Sequence, residues 1–356
     1  MSKNVLVVGT GTIGEPLIGL FSVLKSQMGI DNLYFHKRTP LRYEVAKVNS
    51  LINRGAKLVT DKQSIKQFED LGHKVECDYE QALKECDVIV DCTPAGNKNK
   101  EAVYLDLSEE YPNKTFIAQG SETDFGLPYA YGINDTVLTS EKNNFIQVVS
   151  CNTHSIACLV NNLHCSFGVL GGDFVCIRRA NDLSQDNGFI ASPYLSLHTS
   201  PTNGTHHAKD VVNLFKTKGI TFQNSLYSSA MKTNTQYMHV IRFNIEINGQ
   251  NNYSRILDTL KDNHMISLTR HKSANRVFSY GRDHGFYGRI YNQTVISTPT
   301  LEVLTKKNST MITGFSFTPQ DGNSLLSSAA ATLYGLHGEK YLSWMSCFSK
   351  FLHKEV

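Results

Sequence analysis

The fold is decided by one stretch, Asn4-Val5-Leu6-Val7-Val8-Gly9-Thr10-Gly11-Thr12-Ile13-Gly14. A short apolar run followed by G-x-G-x-x-G and a helical pattern is typical of the first βα turn of a dinucleotide-binding domain. There Gly9 allows the tight turn, Gly11 lets the backbone approach a pyrophosphate, and Gly14 lets the helix pack on the strand. The alternative is a purely structural turn. The stretch favours Gly9, Gly11, Thr12, Ile13 and Gly14 as cofactor-binding residues.

The end of the second predicted strand bears on the choice of cofactor. This stretch reads Tyr34-Phe35-His36-Lys37-Arg38-Thr39-Pro40 and holds two cations, where an NAD-binding chain usually places an acidic residue. Lys37 and Arg38 therefore suit the 2′-phosphate of NADP, and NADP is expected to bind at least as well as NAD. The alternative is a solvated basic turn.

Alternation of strands and helices continues through the first 150 residues and predicts an α/β Rossmann-type domain with a parallel sheet. After Cys151 the strands are longer and alternate with period two, as in 237–248 and 309–318, which predicts an α+β catalytic domain with a mostly antiparallel sheet. We expect domains at 1–150 and 151–320, with C-terminal helices at 321–356 that return to the Rossmann domain. The polar stretch 181–204 is predicted to be a long functional loop.

Composition excludes several classes of protein. The formal net charge of +3 and the absence of an apolar run long enough for a membrane span argue against nucleic-acid and membrane partners. No secretory signal is evident at the start, so we expect a cytoplasmic protein. The eight cysteines are scattered without a CxxC pair, which fits neither a disulfide framework nor a zinc site. No metal site is expected.

Cys151 lies where an apolar strand pattern, 145–149, gives way to a helical one. A helix N-terminus stabilises a thiolate over a thiol, and its N–H groups can hold an oxyanion. Cys151 is thus a candidate nucleophile, with a structural cysteine as the alternative. Cys158 and Cys165, further along the same helix, are interpreted as structural.

A thiolate that attacks a carbonyl needs an acid/base partner, and His239 is the candidate. It shares the inward face of its predicted strand with Ile241, Phe243 and Ile245, so a satisfied core histidine is the alternative. His206 and His207 begin a helix and could meet a phosphate or merely cap it. Arg178 and Arg179 end a strand and point to opposite sides, so only one of them is expected to hold an anion.

Taken in order, these segments and three more resemble the archaeal-type (type II) phosphorylating glyceraldehyde-3-phosphate dehydrogenases over nearly the whole chain. The motifs that carry the resemblance are 9–14, 37–40, Val88-Ile89-Val90-Asp91-Cys92-Thr93-Pro94, Gln119-Gly120-Ser121-Glu122, 148–153, Ile177-Arg178-Arg179-Ala180, Thr205-His206-His207, Met238-His239-Val240 and Tyr280-Gly281-Arg282-Asp283. The first strand and the last motif lie some 270 residues apart. The order of all the motifs along the chain, which matches that of the family, is the specific signal.

The resemblance implies a mechanism and a set of partners. Cys151 would attack an aldehyde, the thiohemiacetal would pass hydride to NAD or NADP, and inorganic phosphate would release an acyl phosphate, as in glycolysis and gluconeogenesis. His239 would take the hydroxyl proton. The substrate would be a small phosphorylated aldehyde, and the assembly a homotetramer. Gly120 would contact the cofactor, while Asn152, Thr153, Arg178 or Arg179, His206 and His207 would line the substrate and phosphate sites.

Four segments depart from the family pattern and leave the substrate's tail and the acceptor less supported than the redox step. They are His154-Ser155, Ala208-Lys209-Asp210 after the two histidines, Ile241, and Ser316-Phe317-Thr318-Pro319-Gln320. A related aldehyde or acyl-phosphate oxidoreductase, such as an aspartate-semialdehyde or N-acetyl-glutamyl-phosphate dehydrogenase, is one alternative. A non-catalytic nucleotide- or redox-sensing protein that oxidises Cys151 reversibly is another.

Overall fold

The computed structural model describes residues 2–120, 122–140, 143–181, 188–222, 224–319 and 321–356. The chain divides into two compact units. The first contains Met1–Pro128, Thr136–Val148 and Leu325–Ser349, and the second contains Tyr129–Asp135, Val149–Ser324 and Lys350–Val356. No helix within the described ranges is both long and apolar enough to cross a bilayer.

The first unit is built on a sheet whose apolar strands are buried on both faces, as parallel strands covered by helices must be. Its strands are β1 (Asn4–Val8), β2 (Asn32–His36), β3 (Lys57–Thr60), β4 (Val75–Asp78), β5 (Val88–Asp91), β6 (Thr115–Gln119), β7 (Leu127–Tyr129) and β8 (Phe145–Val148). In the described part of the chain they form one sheet in the order β4-β3-β2-β1-β5-β6-β8-β7. The pairs from β4 to β8 are parallel, as the sequence predicts.

Helices connect these strands with the alternation expected of a Rossmann-type domain. They are α1 (Gly14–Leu24), α2 (Val45–Asn53), α3 (Ile65–Asp70), α4 (Tyr79–Glu85), α5 (Gly96–Asn99), α6 (Leu105–Glu110) and α7 (Val137–Ser140), with a π-helical turn at Lys100–Tyr104 between α5 and α6. The helical segment over residues 96–110 thus consists of three pieces, α5, the π-helical turn and α6. Strands β4 and β7 are short.

The second unit places one long helix, α8 (Cys151–Phe167), against a mixed sheet. The strands are β9 (Val169–Arg178), β10 (Tyr194–Leu195), β11 (Leu226–Lys232), β12 (His239–Asn248), β13 (Ile266–Thr269), β14 (Thr294–Ser297), β15 (Glu302–Thr305) and β16 (Ser309–Thr318). The helices are α9 (His206–Lys216), α10 (Tyr253–Asp262), α11 (Ala274–His284), α12 (Gly322–His337), which continues into the first unit, and α13 (Tyr341–Trp344) there.

The sheet of the second unit is mostly antiparallel, as expected. Its main order is β10-β11-β9-β12-β16-β14-β13 in the described residues, and β15 pairs with β16. Only the β9–β11 and β13–β14 pairs among those described are parallel. Alternate residues of β12, from His239 to Ile247, are buried, because side chains alternate between the two faces. The stretch 181–204 contains β10, and its residues 182–187 lie outside the described part.

Candidate active site

The glycine loop after β1 has the features that a dinucleotide requires. Gly9 adopts φ +93°, where L side chains are strained, and its N–H donates to the His36 carbonyl over 3.1 Å. A Cβ on Gly14 would lie 2.0 Å from the Gly9 oxygen, so only glycine fits there. A Cβ on Gly11 would meet no atom within 4 Å, which leaves open space beside the N-terminus of α1. That space suits a pyrophosphate.

Two further turns of the first unit support this loop. The buried carboxylate of Asp91, at the end of β5, accepts hydrogen bonds from the Thr93 N–H, the Asn99 amide and the Tyr104 hydroxyl. It thereby fixes the turn that packs against Gly9 and Gly14. Gly120, at the end of β6, has φ +68° and, like Gly11, space for a Cβ. Its neighbour Ser121 lies outside the described residues.

In the basic turn after β2, only one of the two predicted cations is exposed. The Lys37 ammonium is buried and paired with the Glu44 carboxylate, so its charge is already neutralised. Arg38 is 78% exposed and its Nε lies 3.5 Å from an Asp61 oxygen, a weak contact. Of the two cations predicted to suit a 2′-phosphate, Arg38 is therefore the one with an exposed guanidinium, because the Lys37 ammonium is buried against Glu44.

We therefore expect Arg38→Ala to raise the NADP dissociation constant about tenfold at low salt and to leave that of NAD unchanged. One charge-assisted bond to a phosphate contributes about 1.5 kcal/mol or more. Isothermal titration calorimetry with each cofactor would measure this. Arg54→Ala, which removes another exposed arginine of the same unit, is the control. An NADP affinity within twofold of the parent protein would show that the turn is only a solvated basic surface.

Cys151 is the first residue of α8, at the position predicted from the sequence. Ser150 caps the helix, its hydroxyl accepting the Thr153 N–H over 3.4 Å. The Asn323 side-chain amide donates to the Cys151 carbonyl over 3.0 Å and to the Gln293 carbonyl over 3.1 Å, which anchors the first turn to the neighbouring segments. The thiol is partly exposed, so a substrate can reach it.

Burial separates Cys151 from other cysteines. It raises the pKa of Cys158 and of Cys176 to about 12, and the pKa of Cys77 to about 11. Cys86 and Cys92 are raised further for the same reason, so none of these five thiols ionises readily. Strand pairing places the start of α8 near His239, because Asn152, next to Cys151, accepts the Thr318 hydroxyl and Thr318 lies opposite His239 in the β12–β16 ladder.

His239 begins β12 and is 7% exposed. Its Nδ1 accepts the main-chain N–H of Arg179 over 3.0 Å. Because Nδ1 is thus a lone-pair acceptor, the proton of the neutral ring is on Nε2. Burial, then the charges of Arg179 and Arg178, lower the pKa of His239 to about 3. The neutral Nε2–H form is therefore the one present at physiological pH.

The two arginines occupy different environments, as the strand alternation predicts. Arg178 is partly exposed and lies on the face of β9 that carries Phe174 and Cys176. Burial, and after it positive charge that includes Arg178, lowers the pKa of His206, His207 and His239. The described residues give that guanidinium no carboxylate partner. Arg179 is 2% exposed and follows the end of the strand.

Asn152, Thr153 and His207, predicted to line the substrate and phosphate sites, are buried in a hydrogen-bond network. The Asn152 amide accepts the Thr318 hydroxyl over 3.1 Å and donates to Nε2 of His207 over 3.4 Å. His207 donates from Nδ1 to the Thr205 hydroxyl over 3.1 Å. The side chains of Asn152, Thr153 and His207 are all buried, and Thr153 contacts the Ser150 hydroxyl. These contacts hold the start of α8 against α9 and β16.

His206 is exposed at the N-terminus of α9, with its ring stacked on that of His207 at 4.0 Å. Asn152, next to Cys151, thus links the start of α8 to His207 and, through Thr318, to the strand position opposite His239. Sequence reasoning did not single out Asn323 or Thr318, because an isolated polar residue in an apolar pattern carries no distinctive signal.

Comparison with known proteins bears on this arrangement. The family model described as "Glyceraldehyde 3-phosphate dehydrogenase, C-terminal domain" matches residues 150–312. A glyceraldehyde-3-phosphate dehydrogenase from Sulfolobus acidocaldarius is 28% identical over 82% of this chain and 81% of its own length. One from Methanocaldococcus jannaschii is 25% identical over 85% of this chain and 86% of its own. One from Metallosphaera sedula is 28% identical over 76% of this chain and 74% of its own length.

Proposed function

We infer that the chain is a divergent member of the archaeal-type (type II) glyceraldehyde-3-phosphate dehydrogenases. It is an NAD(P)-dependent oxidoreductase that converts a phosphorylated aldehyde and inorganic phosphate into an acyl phosphate. The observation that carries this function is the position of Cys151, partly exposed at the N-terminus of α8, where the next residue, Asn152, bonds Thr318 opposite His239 in the sheet. The similarity to archaeal enzymes over most of the chain supports it.

Cys151 acts as the nucleophile. As a thiolate it adds to the aldehyde carbon, and the carbonyl oxygen becomes an oxyanion next to the first turn of α8, where the helix dipole favours negative charge. When bound, NAD or NADP supplies the acceptor for the hydride that leaves this carbon. The product is a thioester on Cys151, which phosphate then cleaves to give the acyl phosphate and the free thiolate.

His239 serves this chemistry as a hydrogen-bond donor. Since its Nδ1 accepts the Arg179 N–H, only Nε2–H can face a substrate oxygen, and it donates to the developing oxyanion. An oxyanion held in this way can release hydride without first becoming a hydroxyl, so no base is required at that step. This differs from the expectation that His239 takes the hydroxyl proton, because the main-chain N–H occupies the lone pair of Nδ1 and Nε2 already carries a proton.

Arg178 and His206 hold phosphate. Arg178 is partly exposed and its guanidinium has no carboxylate partner within the described ranges, whereas Arg179 is buried. We expect Arg178→Gln to raise the Michaelis constant for inorganic phosphate or for the phosphorylated aldehyde roughly 10- to 150-fold, the range of a charge-assisted bond of about 1.5–3 kcal/mol. Steady-state kinetics with each substrate varied in turn would measure it.

Arg255→Gln is the control for this substitution, since Arg255 is an exposed arginine of the same unit that lies over the Phe167 ring. Unchanged Michaelis constants in Arg178→Gln would contradict a phosphate contact. Equal large effects in Arg178→Gln and Arg179→Gln would contradict the separation of the two side chains.

The remaining parts of the proposal concern the setting of the enzyme. It acts in the cytoplasm, in glycolysis or gluconeogenesis, as a homotetramer. The relatives from Sulfolobus acidocaldarius and Methanocaldococcus jannaschii, which align along most of their own length, support one shared activity.

The test is a spectrophotometric assay of nicotinamide reduction with glyceraldehyde 3-phosphate, with and without phosphate, and with each cofactor in turn. Phosphate-dependent reduction would support the proposal. Reduction with aspartate semialdehyde or N-acetyl-glutamate semialdehyde only would assign a different aldehyde dehydrogenase. Nucleotide binding without turnover of any aldehyde would favour a sensing protein.

A further inference from the structure

Asp61 directly follows β3 and lies beside the end of β2 in the first unit. Its Oδ1 lies 3.0 Å from Nε2 of His36, and its Oδ2 lies 3.5 Å from Nε of Arg38. Arg38 is the exposed cation of the turn predicted to meet a 2′-phosphate. Asp61 therefore brings a carboxylate to a place where the sequence at the end of β2 contains none.

The Asp61 carboxylate does not serve the helix that it precedes. Asp61 is the N-cap residue of the 3₁₀-helix Lys62–Ser64, a position where an aspartate side chain commonly accepts a main-chain N–H. Within the described part of the chain its side chain makes no such bond, and its main-chain carbonyl accepts the Ser64 N–H over 2.8 Å. The start of this helix thus does not explain why the carboxylate is directed toward β2.

His36 holds the carboxylate in this orientation. Its ring is buried, stacks on that of Tyr79 at 4.1 Å and donates from Nε2 to Asp61. Burial, opposed by the Asp61 hydrogen bond, lowers the pKa of His36. The ring is therefore neutral at pH 7 and does not cancel the negative charge of Asp61, which Oδ2 presents to Arg38.

The same end of β2 is joined to the glycine loop. The His36 carbonyl accepts the Gly9 N–H over 3.1 Å, and Gly9 begins the loop whose open space suits a pyrophosphate. In a Rossmann-type domain, residues at the end of the second strand contact the adenosine ribose, and an arginine nearby accommodates the 2′-phosphate of NADP. Arg38 occupies that place. Because Asp61 contacts Arg38, its charge acts on the group that distinguishes the two cofactors.

We propose that Asp61 sets the preference of this protein between NADP and NAD. Its carboxylate competes with the 2′-phosphate for the Arg38 guanidinium. It thereby weakens the binding of NADP and leaves that of NAD, which lacks this phosphate, unchanged. Asp61 is a specificity-determining residue that acts through Arg38, and its role rests on the proposed NAD(P)-dependent function.

Isothermal titration calorimetry of the full chain with NADP and with NAD tests this role without any aldehyde. Asp61→Asn removes the charge and keeps an amide oxygen that can accept from Nε2 of His36. We expect NADP to bind about three- to fivefold more tightly at low salt, and NAD to stay within about twofold of the parent protein. The gain should shrink at high salt, where exposed charges are screened. Unchanged affinity for NADP at low salt, or an equal gain for NAD, would overturn the proposal.

Further variants show whether the effect depends on charge and on Arg38. Asp61→Glu keeps the charge and should bind NADP as the parent protein does, and a gain equal to that of Asp61→Asn would contradict the competition. In an Arg38→Ala background, Asp61→Asn should leave NADP affinity unchanged, because the group for which carboxylate and phosphate compete is gone. The full gain in that background would refute action through Arg38. Asp70→Asn, which removes an exposed carboxylate at the end of α3, is the control for net charge and should have no effect.

A second pair of probes locates the effect on the cofactor. Adenosine 2′,5′-bisphosphate carries the distinguishing phosphate without the nicotinamide, and AMP lacks it. Asp61→Asn should strengthen the bisphosphate by the same factor as NADP and leave AMP unchanged, and a gain for NADP that the bisphosphate does not share would overturn the proposal. If Asp61→Asn does not fold, Asp61→Ser, which removes the charge and keeps an oxygen acceptor, decides by the same criteria. Absence of aldehyde turnover in the parent protein would refute the proposed function and leave these binding results standing.

Discussion

Cys151→Ser is expected to abolish aldehyde-dependent reduction of NAD(P), with a loss of at least about 10⁴-fold in kcat, as when the nucleophile of a covalent mechanism is removed. A serine hydroxyl is far less acidic than a thiol, so the dipole of α8 cannot produce an equivalent nucleophile. Single-turnover absorbance measurements at 340 nm would show the loss. Nucleotide affinity and thermal stability should stay at the parent values, since Cys151 is not a core residue.

The same helix offers matched controls. Cys165 is exposed and Cys158 is buried, both further along α8. Cys165→Ser should have no effect on turnover, and Cys158→Ser should act on stability only, because burial already disfavours its thiolate. Loss of turnover at unchanged stability in either control would show that Cys151 is not the only reactive thiol.

His239→Asn should lower kcat by about 10²- to 10⁴-fold, with a smaller effect on the Michaelis constant. The asparagine amide ends near the Nδ1 position and leaves the Nε2 donor missing. Steady-state kinetics would measure the loss, and circular dichroism would show whether the variant melts at the parent temperature. A loss of stability in parallel with the loss of activity would favour a core histidine instead.

His239→Gln separates a donor from a base. The longer side chain can place an amide N–H near the Nε2 position, but it cannot take up a proton. As a donor-only replacement it should retain at least about tenfold more activity than His239→Asn. The parent enzyme should show no inflection from His239 between pH 5 and 8, since burial, the nearby Arg179 and Arg178, and the neighbouring His207 keep the ring neutral. Equal, complete inactivation of both variants would indicate a base.

Much of the Rossmann-type unit could be predicted because its signals are local. The apolar run of β1 and the three glycines that follow it specify strand, turn and helix within eleven residues. The position of Cys151 was predictable for the same reason, since an apolar strand pattern and a helical pattern meet there. The antiparallel strands β12 and β16 could be predicted from the period-two alternation of apolar and polar residues.

Other features depend on residues that are distant in the sequence. The inward hydrogen bonds of Asn152 reach His207 and Thr318, which lie 55 and 166 positions away, and no spacing rule connects such residues. Lys37 and Glu44 are only 7 positions apart in the sequence, but their pairing depends on how the turn after β2 meets the start of α2. Edge strand β4 has a weak sequence signal, because Val75-Glu76-Cys77-Asp78 contains two acidic residues and none of its four residues is buried.

The neutral histidines around Cys151 also have a thermodynamic consequence. Burial holds the pKa of His154 at about 4 and that of His239 at about 3, both below the ordinary value of 6.5. At pH values between these lowered pKa values and 6.5, both rings are protonated in the unfolded chain and neutral in the folded chain. The free energy of unfolding therefore falls as the pH drops below about 6.5, by up to about 1.4 kcal/mol per pH unit for each ring. The unit that carries the reactive cysteine is thus stable at neutral pH and loses that stability in acid.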